Sequence, residues 1–151
     1  MNKQSEGSVM KLYRMERWLY THNRRASSKI IYHLMQIVFG CTIPPSTELG
    51  KDVIIAHSHG IVLHQNSKVG DGTALYQNVC LGGRNGSRGP VIGRNCFVGA
   101  GACVLGEINI GNNVKIGANS VVITDVPDNC TVVGVPGKIV KKNDIYSVES
   151  H

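Results

Sequence analysis

Ile92-Gly93-Arg94-Asn95-Cys96-Phe97-Val98-Gly99-Ala100-Gly101-Ala102-Cys103-Val104-Leu105-Gly106-Glu107-Ile108-Asn109-Ile110-Gly111-Asn112-Asn113-Val114-Lys115-Ile116-Gly117-Ala118-Asn119-Ser120-Val121-Val122 carries an aliphatic residue at every sixth position without a break. A spacing of six fits neither the 3.6-residue period of a helix nor the two-residue period of a hairpin strand. The next residue is usually glycine (Gly50, Gly70, Gly82, Gly93, Gly99, Gly111, Gly117), and four residues after the aliphatic position stand small or medium side chains such as Thr73, Cys96, Ala102 and Ser120. Each hexapeptide therefore reads as one short strand plus one tight corner, its aliphatic side chain inward, with Gly or Asn tolerating the corner's dihedrals. Three units close a triangular coil. Stacked coils satisfy one another's backbone groups and align the aliphatic side chains in columns, and about four coils are expected.

Working outward, Val69, Leu75 and Leu81 keep the spacing, as do Ile43, Leu49, Ile55 and Ile61, with two extra residues placed near Leu63 and His64. The period breaks at residues 83–91, where a Gly- and Arg-rich stretch must leave the solenoid as a loop, the kind of position where ligand contacts gather. Upstream, Leu12, Met15, Trp18 and Leu19 recur at helical spacing, and a second helix is expected from Ala26 to Phe39 with Ile30, Ile31, Leu34, Ile37 and Val38 as its apolar side and Gly40 as its stop. The expected division is a helical segment over 1–40, a parallel β-helix over 41–142 and a C-terminal tail over 143–151. Residues 1–8 are polar and expected to be disordered.

Composition narrows the function. A chain of 151 residues has room for one core, and 18 glycines with only 5% aromatics suit a repetitive, turn-rich architecture. The net charge of +6 gathers near the ends (Lys11, Arg14, Arg17, Arg24, Arg25, Lys29; Lys138, Lys141, Lys142) without the basic-aromatic stripe of a nucleic-acid binder, and it suits an anionic small ligand. Five cysteines without a CxxC pair predict free thiols and no metal site. No apolar run of membrane-spanning length and no signal peptide is present, so a cytoplasmic protein is expected. The basic N-terminal helix leaves weak contact with an anionic membrane open.

Ile55-Ala56-His57-Ser58-His59-Gly60-Ile61 places two histidines where other corners hold Gly, Asn and small residues. A neutral imidazole accepts the proton of an attacking alcohol near neutral pH, so His57 and His59 are the candidate catalytic residues.

The repeat resembles that of the hexapeptide-repeat acyltransferases, whose β-helices are left-handed. More specifically, Ala56-His57-Ser58-His59-Gly60-Ile61-Val62 is similar to the Asp-His-Ala-Thr-Gly-Ile-Val segment of bacterial serine acetyltransferases. Val79-Cys80-Leu81-Gly82-Gly83 and Gly134-Val135-Pro136-Gly137-Lys138-Ile139-Val140 look like further motifs of that family. The resemblance implies an all-β solenoid, a left-handed parallel β-helix of hexapeptide repeats behind a short helical segment, working as a homotrimer with active sites between subunits. It implies direct acetyl transfer from acetyl-CoA, with His57 as general base and a backbone N–H near Gly82 or Gly83 for the oxyanion. Gly82, Gly83, Ala100, Gly117 and Ala118 would admit the pantetheine arm, and Lys138 and Lys141 would meet the phosphates. Arg88 would bind the acceptor.

The chain also departs from the family. Thr42 stands where an aspartate orients the catalytic histidine, leaving Glu48, His59 or a main-chain carbonyl as the partner of His57. Ala56 and Gly89 replace a second acid and a loop histidine, and most of the family's N-terminal helical domain has no counterpart. The acceptor read from these departures is a saccharide hydroxyl of a capsule, an exopolysaccharide or its precursor, with L-serine as the alternative and a non-enzymatic solenoid scaffold as a distant third.

Overall fold

A computed structural model describes residues 7–142, so the expected tail over 143–151 and most of the expected disorder of residues 1–8 lie outside the described residues; at Ser8 a helix has already begun. Two helices, α1 (Ser8–Thr21) and α2 (Arg25–Phe39), precede short strands that wind three to a coil. The first coil holds β1 (Glu48–Leu49), β2 (Ile54–Ile55) and β3 (Val62–Leu63), and the second β4 (Lys68–Val69), β5 (Ala74–Leu75) and β6 (Cys80–Gly82). The third holds β7 (Val91–Ile92), β8 (Phe97–Val98) and β9 (Cys103–Leu105), and the fourth β10 (Asn109–Ile110), β11 (Lys115–Ile116) and β12 (Val121–Val122). They stack into three parallel sheets, β1-β4-β7-β10, β2-β5-β8-β11 and β3-β6-β9-β12. The result matches the left-handed parallel β-helix of hexapeptide repeats.

The register explains the period. Ile55, Leu75, Val98 and Ile116 pair in sequence down one wall, and Leu63, Leu81, Val104 and Val122 down another, all buried. Each such side chain stabilises the stack by roughly 1.5–3 kcal/mol. Glycine follows the inward residue because the coils touch there. A Cβ built on Gly70 would lie 2.6 Å from the Gly93 carbonyl carbon, and one on Gly93 2.6 Å from that of Gly111.

Both ends of the stack are closed. At the first coil, the Tyr13 hydroxyl of α1 donates to the Thr47 carbonyl at 2.6 Å and accepts from the Leu49 N–H at 3.3 Å. The Arg17 guanidinium donates to the carbonyls of Pro45 and Thr47 at 2.9 and 2.7 Å. At the far end β13 (Cys130–Val133) continues the β11 wall, and β14 (Lys138–Lys142) turns back antiparallel against it.

Three expectations need correction. The two extra residues fall between Ile55 and Ile61, not near Leu63 and His64: Leu63, not Ile61, pairs with Leu81, while Ile61 takes the packing place that Val79 holds one coil later. The histidine corner is therefore the enlarged one. In α1 the buried side is Val9, Met10, Tyr13 and Glu16, whereas Met15 and Trp18 are exposed. In α2 it is Ser28, Ile31 and Met35, leaving Ile30, Leu34, Ile37 and Val38 exposed. Both helices carry apolar residues on more than one side, and the open end of the solenoid covers one side only.

Glu16 is fully buried and neither carboxyl oxygen has a hydrogen-bond partner. Burial pushes it from 4.5 to about 8. Burial also pushes up the neighbouring Tyr13 and Tyr32 hydroxyls, with Glu16 adding to both shifts. The folded chain thus keeps a proton that the unfolded chain releases. Stability from this group is present below about pH 4.5 and declines as pH rises through about 8, at roughly 1.4 kcal/mol per unit. Denaturant titrations should show Glu16→Gln more stable than the parent by several kcal/mol at about pH 8.5 and close to it at about pH 5.

Candidate active site at the histidine corner

The corners between the β2 and β3 walls stack into one edge of the prism. Its hydrogen bonds run from the Asn78 N–H to the His59 carbonyl (3.0 Å), from Gly101 to Gln77 (2.9 Å) and from Asn119 to Ala100 (2.9 Å). Each corner turns through a left-handed residue, Gly60 at φ 69°, Asn78 at 58°, Gly101 at 70° and Asn119 at 56°, and the enlarged first corner adds a second one, His57 at 55°. Every other non-glycine residue at positive φ among the described residues is Asn or Asp. Histidine adopts this conformation at a cost of about 1 kcal/mol or more, and strain of that kind gathers at functional sites.

His57 and His59 are both exposed. His57 faces the Tyr76 ring at 6.1 Å between centroids, and Tyr76 faces Phe97 at 4.9 Å. His59 meets Phe39 at the end of α2, edge to face at 6.3 Å. Glu48 does not orient His57: it lies on another wall, paired with Lys68 at 3.2 Å. Thr42 is occupied by a hydrogen bond from Gln36, at 3.4 Å.

The structure brings Ala100, Gly117 and Ala118 together below His57 on the same edge. A Cβ on Gly99 would press on the Ala118 N–H, so the small residues here are what allow the coils to close up. Lys138 and Lys141 are exposed on β14, which is added to the β2 wall beyond β13. From β2 to β14 is five strand spacings, about 24 Å.

Gly82 and Gly83 lie elsewhere. Gly82 ends the β6 strand and Gly83 follows it, so the whole β3-β6-β9-β12 wall separates them from His57 of the same chain. The loop after Gly82 folds back on His64: a Cβ on Gly89 would fall 2.8 Å from the His64 Cβ, and one on Gly83 would strike the Ser87 carbonyl. Arg88, in this loop, is exposed. A cleft of about 320 Å³ opens here, lined by Pro44, His64, Cys80 and Gly82 among others. The Asn66 N–H donates to His64 Nδ1 at 3.2 Å, which places the neutral ring's proton on Nε2 as a donor. His64 was not singled out from sequence, but its signal was present: it fills the glycine slot after an inward Leu63.

The solenoid has counterparts in known proteins. The family model described as "Bacterial transferase hexapeptide (six repeats)" matches residues 89–124. Serine acetyltransferase of Synechococcus elongatus is 42% identical over 136 residues, covering 88% of this chain and 56% of that protein. The crystal structure of Neisseria gonorrhoeae serine acetyltransferase in complex with serine superposes with a TM-score of 0.81 at 39% identity, covering 86% of this chain and 54% of that one. That of the Brucella abortus serine acetyltransferase in complex with coenzyme A gives 0.87 at 33%, covering 90% and 56%. The chain is a serine acetyltransferase-like hexapeptide-repeat protein. It spans little more than half the length of the curated relatives it matches.

All five cysteines of this serine acetyltransferase-like chain are free, Cys80 and Cys103 neighbouring one another on the wall between the two edges. Burial, and after it the nearby Cys103, pushes the Cys80 thiol up. Among the described residues no group of three His, Cys, Asp or Glu is placed to hold a metal ion, and no helix is long and apolar enough to cross a membrane.

Replacing His57 separates strain from chemistry. His57→Asn should leave the melting temperature unchanged or raised, because Asn takes the left-handed corner readily, whereas His57→Val should lower stability by about 1–2 kcal/mol. Thermal melts of the two variants check this without reference to activity.

Proposed function

We propose that the chain is an acetyl-CoA-dependent O-acetyltransferase that works as a homotrimer, with His57 of one subunit facing the Gly82–Gly83 loop of the next. The observation that carries this reading is the division of the candidate residues between two edges of the prism: one chain holds the base on one edge and the oxyanion donors on another, and a neighbouring copy can bring the two together. The outward residues of the two walls flanking His57 favour such a contact. Ile54, Ala74 and Phe97 stand on one, with Lys115 on its last rung, and Val62, Cys80, Cys103 and Val121 on the other, while the third wall carries the Glu48–Lys68 ion pair beside Val91. The exposed Ile30, Leu34, Ile37 and Val38 of α2 add an apolar stripe beside the same corner, reached through Phe39 and His59.

His57 takes the proton of the acceptor hydroxyl as its oxygen attacks the thioester carbonyl. The resulting oxyanion is held by main-chain N–H groups near Gly82 and Gly83 and by the Nε2–H of His64. Collapse breaks the carbon–sulfur bond, and the leaving thiolate receives the proton from the imidazolium. The donor lies along the His57 edge, its acetyl end at the corner, its arm over Ala100, Gly117 and Ala118, and its phosphates at Lys138 and Lys141. The span of about 24 Å suits an extended coenzyme A. Arg88 binds the acceptor from the loop.

The relatives favour L-serine as the acceptor over a saccharide. The second reading, a sugar hydroxyl, is favoured by Thr42 and Ala56: an amino acid's ammonium group would find no carboxylate at this corner, and leaving it unpaired is costly.

Thiol release from acetyl-CoA, measured with L-serine and with a panel of monosaccharides and glycans, should proceed, and the faster acceptor decides between the two readings. His57→Ala should slow it about a hundredfold or more while coenzyme A still raises the melting temperature. Near-normal turnover of that variant removes His57 from the base role. A chain sedimenting as a monomer, or one that coenzyme A does not stabilise, overturns the assignment.

A further inference from the structure

A second cleft lies away from the histidine corner. It measures about 520 Å³, lies between α1, α2 and the Pro44–Pro45 turn, and is lined by Glu16, Tyr20, Arg25, Ser28, Lys29, Tyr32 and His33 along with the two prolines. Nothing in the acetyl-transfer reading uses it.

Its floor holds a buried group of the helical cap that the fold leaves unsatisfied: both oxygens of the fully buried Glu16 are without a partner. Buried carboxyls are ordinarily paired or hydrogen-bonded, and each exception asks for an explanation. Packing alone does not supply one, since a glutamine or methionine of similar volume would fill the space at lower cost. Above the floor the walls are the Tyr20 and Tyr32 rings and the prolines. At the rim stand Arg25 and Lys29, both exposed and, among the described residues, neither paired with an acid.

This order of groups defines the occupant. A plain amine would meet Glu16 but would be repelled at the rim by Arg25 and Lys29. A plain anion would suit the rim and be repelled by an ionised Glu16. A molecule with an ammonium group at one point, an anionic group a few ångströms away and an apolar body satisfies all three surfaces.

We infer that the α1–α2 cleft is a second ligand site, separate from the His57 edge, which takes an apolar or aromatic α-amino acid with its ammonium group on Glu16 and its carboxylate toward Arg25 and Lys29. The site joins both helices to the turn that opens the first coil, so the bound ligand ties the cap to the solenoid. Its ammonium group draws Glu16 into the ionised form, at the cost of displacing a proton that burial holds there up to about pH 8. Tyr13, Arg17 and Tyr20 on α1 and Tyr32, His33, Lys29 and Arg25 on α2 are the titratable or charged groups around it.

Isothermal calorimetry on the full chain tests this with L-phenylalanine and L-leucine as probes, and with 3-phenylpropanoate and phenethylamine as analogues lacking one charge each. At least one amino acid should bind saturably with a Kd tighter than about 10 mM, and removal of either charge should weaken binding about tenfold or more. Glu16→Gln and the surface double variant Arg25→Ala/Lys29→Ala should each lose most of the affinity while melting cooperatively. Coenzyme A and L-serine in excess should leave the binding unchanged, as should His57→Ala, which keeps the test independent of the transfer reaction. No saturable heat with either amino acid overturns the inference. So does binding that survives Glu16→Gln, or that coenzyme A or L-serine displaces, the latter placing the amino acid at the histidine corner instead.

Discussion

A coil of this solenoid cannot satisfy its own backbone. Its strands are two or three residues long and lie on different walls, so each N–H and C=O must find a partner in the coil before or after it. Stacking is therefore a condition of folding and not a later refinement. It sets the distance at which Gly70 meets Gly93, excludes a Cβ there, and goes with a left-handed residue at every corner of two of the three edges. It also leaves two exposed ends. The Tyr13 hydroxyl and the Arg17 guanidinium take up carbonyls at one end, and antiparallel β14 pairs with the last rung at the other. The N-terminal segment is thus part of the fold's hydrogen-bond accounting as much as of its apolar core.

That constraint accounts for what could be read in advance. Inward aliphatics and corner glycines are dictated by stacking, so their spacing in the sequence is the fold itself, and the three walls follow from it. The position of the two extra residues is not legible in the sequence because Ile61 is aliphatic and sits six residues after Ile55; only the pairing of Leu63 with Leu81 shows which residue keeps the register. The helix faces were misjudged for a related reason. Apolar side chains surround much of α2, and a periodic pattern cannot tell which stripe meets the solenoid when Ile31 and Met35 lie on one side and Ile30, Leu34, Ile37 and Val38 on others.

The candidate site was legible where it interrupts the rule. His57 stands out because one repeat carries two imidazoles where other corners hold Gly, Asn and small residues. His64 interrupts the glycine slot in the same manner, yet slots also hold Tyr76 and Leu105, so the departure alone assigns no role; the Asn66 N–H and the loop around Gly89 supply it. The placement of His57 and Gly82–Gly83 on different edges could not be read at all without the register, since it depends on which wall each hexapeptide joins.

A prism whose interior is filled by columns of Val, Ile and Leu has no pocket of its own. Deep concavity can arise in three ways only: a loop that leaves the coil, a second copy laid against a wall, or an element packed across an end. Two clefts among the described residues conform to that rule, one beside the loop that follows Gly82 and one under the helices that close the first coil. Both lie where the six-residue period is broken, and both hold a side chain that stacking does not require, His64 in the first and Glu16 in the second. Of the two, Glu16 stands buried and unsatisfied, and a residue that stacking does not call for and that costs stability where it stands is one whose place a ligand would explain.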